Sequence, residues 1–154
     1  MKNSHHPIRI KLSYHPILDH SLNPKLKSSQ DAFDYIFPLW NYDTLALKEE
    51  FKVLFLNRNN AVLGFHDVSV GGISSCSVDI KIVFSLALGC GASGILLVHN
   101  HPSQSAHVSD EDLKLTSKIQ QAAKLFEITV FDHIIICSED SFLSMADENI
   151  LPIV

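Results

Sequence analysis

Cysteine is scarce in this chain of 154 residues: three, at positions 76, 90 and 137, with no CxxC pair. An odd, scattered set is not a disulfide framework and cannot build a cysteine-rich structural metal site, so a reducing compartment is expected. Basic residues are also short, 12 against 17 acids, for a formal charge of −5. That balance argues against broad nucleic-acid binding, which needs a basic stripe to displace counterions. No apolar run approaches the ~20 residues of a membrane span. The first sixteen residues carry no apolar core of a signal peptide, so a cytoplasmic location is expected. Repeats, low-complexity tracts and interdomain linkers are absent too. What remains is 46% hydrophobic, enough for one globular core.

Residues 8–14 alternate apolar and polar, the period of a half-buried strand. Residues 15–27 hold Pro16, Asn23 and Pro24 and read as a loop. An N-terminal strand and loop over 1–28 thus lead into a single unit over 29–154. Ser28 and Ser29 ahead of Asp31 mark a helix start, and Pro38 should end that helix. Residues 51–56 form a strand apolar on both faces, turned by 57–60 into a return over 61–65, a β-hairpin. Gly71-Gly72 breaks the return strand. A helix over 77–88, with Ser77 as cap, shows Ile80, Val83, Phe84, Ala87 and Leu88 on one side. A short buried strand follows over 95–99, then a helix from Ser109 to about Leu125, a strand over 128–137 and a last short strand over 141–143. Strands alternating with helices imply an α/β fold with a mixed sheet sandwiched by helices, the strands around the long helix being parallel.

The informative stretch is His99-Asn100-His101-Pro102, followed at a distance by Ser109 and Asp112. Two histidines two apart on an extended strand point to one face. A helix beginning eight residues on presents Asp112 in its first turn. Two imidazoles and a carboxylate, with a fourth position open, is the composition of a catalytic zinc site. By themselves, however, these residues also read as surface histidines beside an ordinary helix cap.

HNHPS at 99–103 with Ser109 and Asp112 resembles the JAMM (JAB/MPN+) metalloprotease motif, and more closely its RadC-like branch. Thr116, LFEITVFDHIII at 125–136, EEFKVLFLNRNNAVLGF at 49–65 and SSQDAF at 28–33 extend the likeness over nearly the whole chain. The resemblance implies a three-layer architecture like that of JAMM proteins and cytidine deaminases. It implies zinc held by His99, His101 and Asp112, Glu49 (or Glu50) as general base, and Ser109 as a donor to the developing oxyanion. Either acid also reads as part of an exposed pair before a strand, and Asn100 as a turn residue. Gln104 stands where the branch usually has glycine, and His107 reads as an exposed loop histidine, with an extra weak ligand as the alternative. His133 reads as a core histidine hydrogen-bonded to a neighbour, able to support a ligand from behind.

The function so implied is zinc-dependent hydrolysis of a peptide or isopeptide bond in a peptide or protein substrate. The rivals are a non-catalytic scaffold and a DNA-repair-associated factor. The branch's longer members carry a helix-hairpin-helix segment associated with DNA, and no such pattern is visible here. A zinc nucleobase deaminase is disfavoured, because HxE and PCxxC are absent.

Overall fold

The structure, a computed structural model, describes Tyr14, residues 23–71 and residues 77–153. The strand expected over 8–14 (Tyr14 apart), the loop over 15–22, Gly72, Cys76 and His5, His6, His15 and His20 lie outside the described residues.

Helix α1 (Ser29–Ile36) starts where Ser28 accepts from the Asp31 backbone N–H, and it buries Ala32, Phe33 and Ile36 along one side. Pro38 does not simply stop it. It sits inside a following 3₁₀ turn (Phe37–Leu39), near whose start a missing N–H costs nothing. Strand β1 (Glu50–Leu56) is buried along its whole length, and β2 (Val62–Val70) runs antiparallel to it, five residues beyond the expected return. Helix α2 (Ile80–Gly89) begins later than expected. Its cap is Asp79 rather than Ser77, because the Asp79 carboxylate accepts from Lys81 N at 2.9 Å. Strand β3 (Gly94–Asn100), helix α3 (Asp110–Leu125), strand β4 (Thr129–Ser138) and strand β5 (Ser141–Ser144) complete the described elements.

The five strands form one mixed sheet in the order β2-β1-β3-β4-β5. The β3–β4 pair is parallel and is crossed by α3, and the other pairs are antiparallel. Strand alternation divides the core in two. Leu54, Leu56, Leu96, Val98, Ile134 and Ile136 pack under α1. Val53, Phe55, Ile95, Leu97 and Val130 pack under α2 and α3. Helices therefore cover both faces of the sheet.

The β3–β4 pairing carries one irregularity. Ile95 pairs with Val130 but Leu96 pairs with Asp132, so Phe131 is an extra residue in β4. A Cβ on Gly94 would lie 2.1 Å from the Phe131 ring, so the start of β3 has room for that ring only as glycine. The bulge reverses the alternation of β4. His133 therefore faces the same side as Val130, opposite Leu97 on β3, and Asp132 turns the other way, to Ser144 Oγ (2.5 Å) and Ala146 N (2.9 Å).

Candidate metal centre

His99 lies one residue before the end of β3, on the face covered by α2 and α3, stacked on Phe51 of β1 at 6.0 Å between ring centres. Its ring is fully buried. His101 follows two residues later, where the chain leaves the sheet, and is half-buried. Asp112 comes from the first turn of α3. Ser109 caps this helix: its hydroxyl accepts from Asp112 N (3.1 Å), while the Asp112 carboxylate accepts from Ser109 N (2.9 Å) and Ser109 Oγ (2.6 Å). This capping box holds one carboxylate oxygen and leaves the other, Oδ1, facing His99.

Two imidazole nitrogens and the two oxygens of one carboxylate converge. His99 Nε2 lies 3.0 Å from His101 Nε2 and 3.2 Å from Asp112 Oδ1, and His101 Nε2 lies 3.6 Å from Asp112 Oδ2. A tetrahedral ion with donors ~2.0–2.1 Å away places neighbouring donors roughly 3.3 Å apart. The distances from His99 Nε2 to His101 Nε2 and to Asp112 Oδ1 lie near that value, and ligand atoms of all three residues lie within 4.8 Å of one another, so the residues fit a metal ion. His101 is also in the right tautomer. Its Nδ1 is 3.0 Å from Ser105 O, which can only accept, so Nδ1 carries a hydrogen and the neutral ring has its lone pair on Nε2.

Electrostatics separate the two histidines. Burial lowers the His99 pKa to about 4, although Asp112 works against it, so this ring is neutral at neutral pH. The Asp112 carboxylate beside it raises that of His101, with burial opposing. Burial alone would raise the Asp112 carboxyl, but His101, the charge of His99 and the two Ser109 donors outweigh it and hold the carboxyl well below its ordinary range.

The acid pair at 49–50 divides between the two faces of the sheet. Phe51 pairs with His99 across β1–β3, and continuing that register two places sets Glu49 opposite His101. Glu49 is half-buried, and its pKa is raised first by burial and then by the charge of Asp112, with His101 opposing. Glu50 faces the other way. It is not exposed, as a simple acid pair would be: it is 6% accessible and ion-paired with Lys48 and Lys52 at 3.1 Å each. Lys52 also pairs with Asp67 and lies over the Trp40 ring.

Asn100 is a correction to the turn reading. It is the last residue of β3, fully buried, and all four of its hydrogen-bonding positions are used. Oδ1 accepts from Trp40 Nε1 (3.1 Å) and Glu50 N (2.7 Å), and Nδ2 donates to Leu45 O (2.7 Å) and Lys48 O (2.9 Å). Asn100 thereby fastens the segment that carries Glu49 to the strand that carries the histidines. The available signal was its place between two residues sharing one face, which aims it at the opposite core. His107 is exposed in the loop and takes no part. Gln104 has φ +58°, which explains the glycine usual at that place.

The RadC-like JAB domain family matches residues 26–150. The chain belongs to that family. Relatives bearing the name UPF0758 protein include those of Flavobacterium johnsoniae (40% identical, 82% of this chain and 53% of the relative) and Porphyromonas gingivalis (38%, 68% and 46%). That of Staphylococcus carnosus is 37% identical over 87% of this chain and 57% of the relative. The chain spans about half the length of these relatives. No described helix is long and apolar enough to cross a membrane.

Proposed function

We propose that this RadC-like JAB domain is a zinc-dependent hydrolase that cleaves a peptide or isopeptide bond. The observation that carries the reading is the convergence of His99 Nε2, His101 Nε2 and the Asp112 carboxylate at spacings suited to a tetrahedral ion. Bound there, zinc supplies a Lewis acid that polarises a carbonyl and brings the pKa of water down to ~7. Glu49 takes a proton from the attacking water, and its raised pKa makes it a stronger base than an ordinary carboxylate. As the C–N bond breaks, Glu49 returns that proton to the leaving nitrogen, so water is divided between a carboxylic acid and an amine. Ser109 orients Asp112 through its hydroxyl hydrogen. Donation to the developing oxyanion requires that hydrogen to turn away from Asp112 Oδ2. The substrate is a peptide or protein, and the acidic balance speaks against a nucleic-acid partner.

Two variants test the reading. Glu49→Gln should keep zinc content and melting temperature while hydrolysis in a peptide and isopeptide screen falls ~10²–10⁴-fold. Glu50→Gln should keep the chemistry but cost about 1–3 kcal/mol of stability, because buried Lys52 loses a charged partner. Protein that cannot be loaded with zinc at neutral pH, or hydrolysis indifferent to Glu49, would overturn it. A loaded protein with no hydrolysis of any peptide or isopeptide would favour a scaffold instead.

A further inference from the structure

Behind the candidate ligands lies a second buried histidine whose two nitrogens are both engaged. His133 Nε2 is 2.8 Å from His99 Nδ1, and His133 Nδ1 is 2.6 Å from Thr116 Oγ1. Thr116 Oγ1 is in turn 2.6 Å from the carbonyl oxygen of Asp112, one helical turn earlier. His99, His133 and Thr116 are all fully buried, so no solvent interrupts the series.

The hydrogens along this series can be placed from one end. A carbonyl oxygen only accepts, and two oxygens 2.6 Å apart with no hydrogen between them repel, so the threonine hydrogen points at Asp112 O. Thr116 has no second hydrogen, so toward His133 it can only accept. His133 Nδ1 therefore carries N–H. A buried imidazole between two uncharged partners is neutral, so His133 Nε2 is a lone pair and must accept from His99 Nδ1–H. His99 then has its lone pair on Nε2, the atom that faces His101 and Asp112. The opposite order would put an N–H on His99 Nε2, 3.2 Å from Asp112 Oδ1, where a cation would have to displace it.

We propose that Thr116 and His133 act as a tautomer lock, holding His99 as its Nδ1–H form so that Nε2 is ready for a metal ion before one arrives. Both are positioning residues and touch neither metal nor substrate. A ligand histidine commonly gives its other N–H to a carbonyl or carboxylate, which fixes the tautomer directly, as Ser105 O does for His101. A histidine in that place fixes nothing by itself, because a neutral imidazole both donates and accepts. Thr116, committed to the Asp112 carbonyl, removes the ambiguity. The β4 bulge at Phe131 is what turns His133 to this face. The metal-binding part of the proposal rests on the zinc reading; the tautomer assignment does not.

The test uses the whole chain, ¹⁵N-labelled and held metal-free with a chelator. Long-range ¹H–¹⁵N spectra should show His99 with a pyrrole-like Nδ1 and a pyridine-like Nε2. Thr116→Val keeps the shape and removes the acceptor, so His99 should show mixed tautomers, and zinc affinity by chelator competition should fall ~10–100-fold. Thr116→Ser should restore both. A pyrrole-like Nε2 on wild-type His99 overturns the proposal even if the valine variant does not fold. So does a folded Thr116→Val protein with wild-type tautomer and affinity. If the wild type shows the assigned tautomer but takes up no zinc, the proposed function fails and the tautomer assignment stands.

Discussion

Acid should unsettle the metal-free protein through His99, whose burial disfavours the charged ring. Its folded pKa is about 4, against ~6.5 in an unfolded chain. A histidine with a lowered folded pKa contributes stability that is present above ~6.5 and is lost as pH falls toward its folded value. At 1.36 kcal/mol per unit that loss is about 3 kcal/mol by pH 4. His133, lowered by burial, acts in the same direction. His101, Glu49 and Asp132 have raised pKa values and act in the opposite one, since the fold binds their protons more tightly than the unfolded chain does. Asp112, held low, stays ionised throughout the window. A simple pH profile would mix these contributions, so the comparison is between wild type and His99→Gln. Urea unfolding at pH 7, 6, 5 and 4, with chelator present, should give two curves that converge by about 3 kcal/mol on acidification, with m unchanged. Whatever packing His99→Gln loses is constant with pH and cancels in the slope. Parallel curves between pH 6.5 and 4 would refute the reasoning, because His99 would then not be held neutral by burial.

Two further outcomes follow from single positions. Asn100→Asp turns two donors into acceptors that face the Leu45 and Lys48 carbonyls, and should cost about 2–5 kcal/mol in urea unfolding; a change under about 1 kcal/mol would mean that the clamp is not formed. Gln104→Gly relieves the left-handed backbone at φ +58° and, after the entropy that glycine loses, should stabilise by about 0.5–1 kcal/mol, a rise of a few degrees in melting temperature; a fall would refute the strain.

Where local chemistry decides an element, it was legible in the sequence. Ser28 with Asp31 and Ser109 with Asp112 place the starts of α1 and α3 because capping involves only neighbours. The Asn57–Asn60 turn and the apolar runs place the hairpin and β3 in the same way. For α2 two caps competed within three residues, and the carboxylate of Asp79 won over the hydroxyl of Ser77, which sequence cannot arbitrate. The candidate site was partly legible, since HxH and SxxD carry the spacing of its three donor residues. Its supports were not. Glu50 and Lys52 look like surface residues by type, and only the pairing of β1 with β3 and β2 reveals that each is buried with its partners. His133 is the sharper case. Counting by twos from Val130 along β4 sends position 132 to the histidine face, and Asp132 would then stand behind His99. The extra residue at Phe131, possible because Gly94 makes way for its ring, exchanges the two. A carboxylate behind His99 would have fixed its tautomer without help. With a histidine there the task falls to Thr116, seventeen residues away in sequence, through a hydroxyl whose only hydrogen is already committed to the helix.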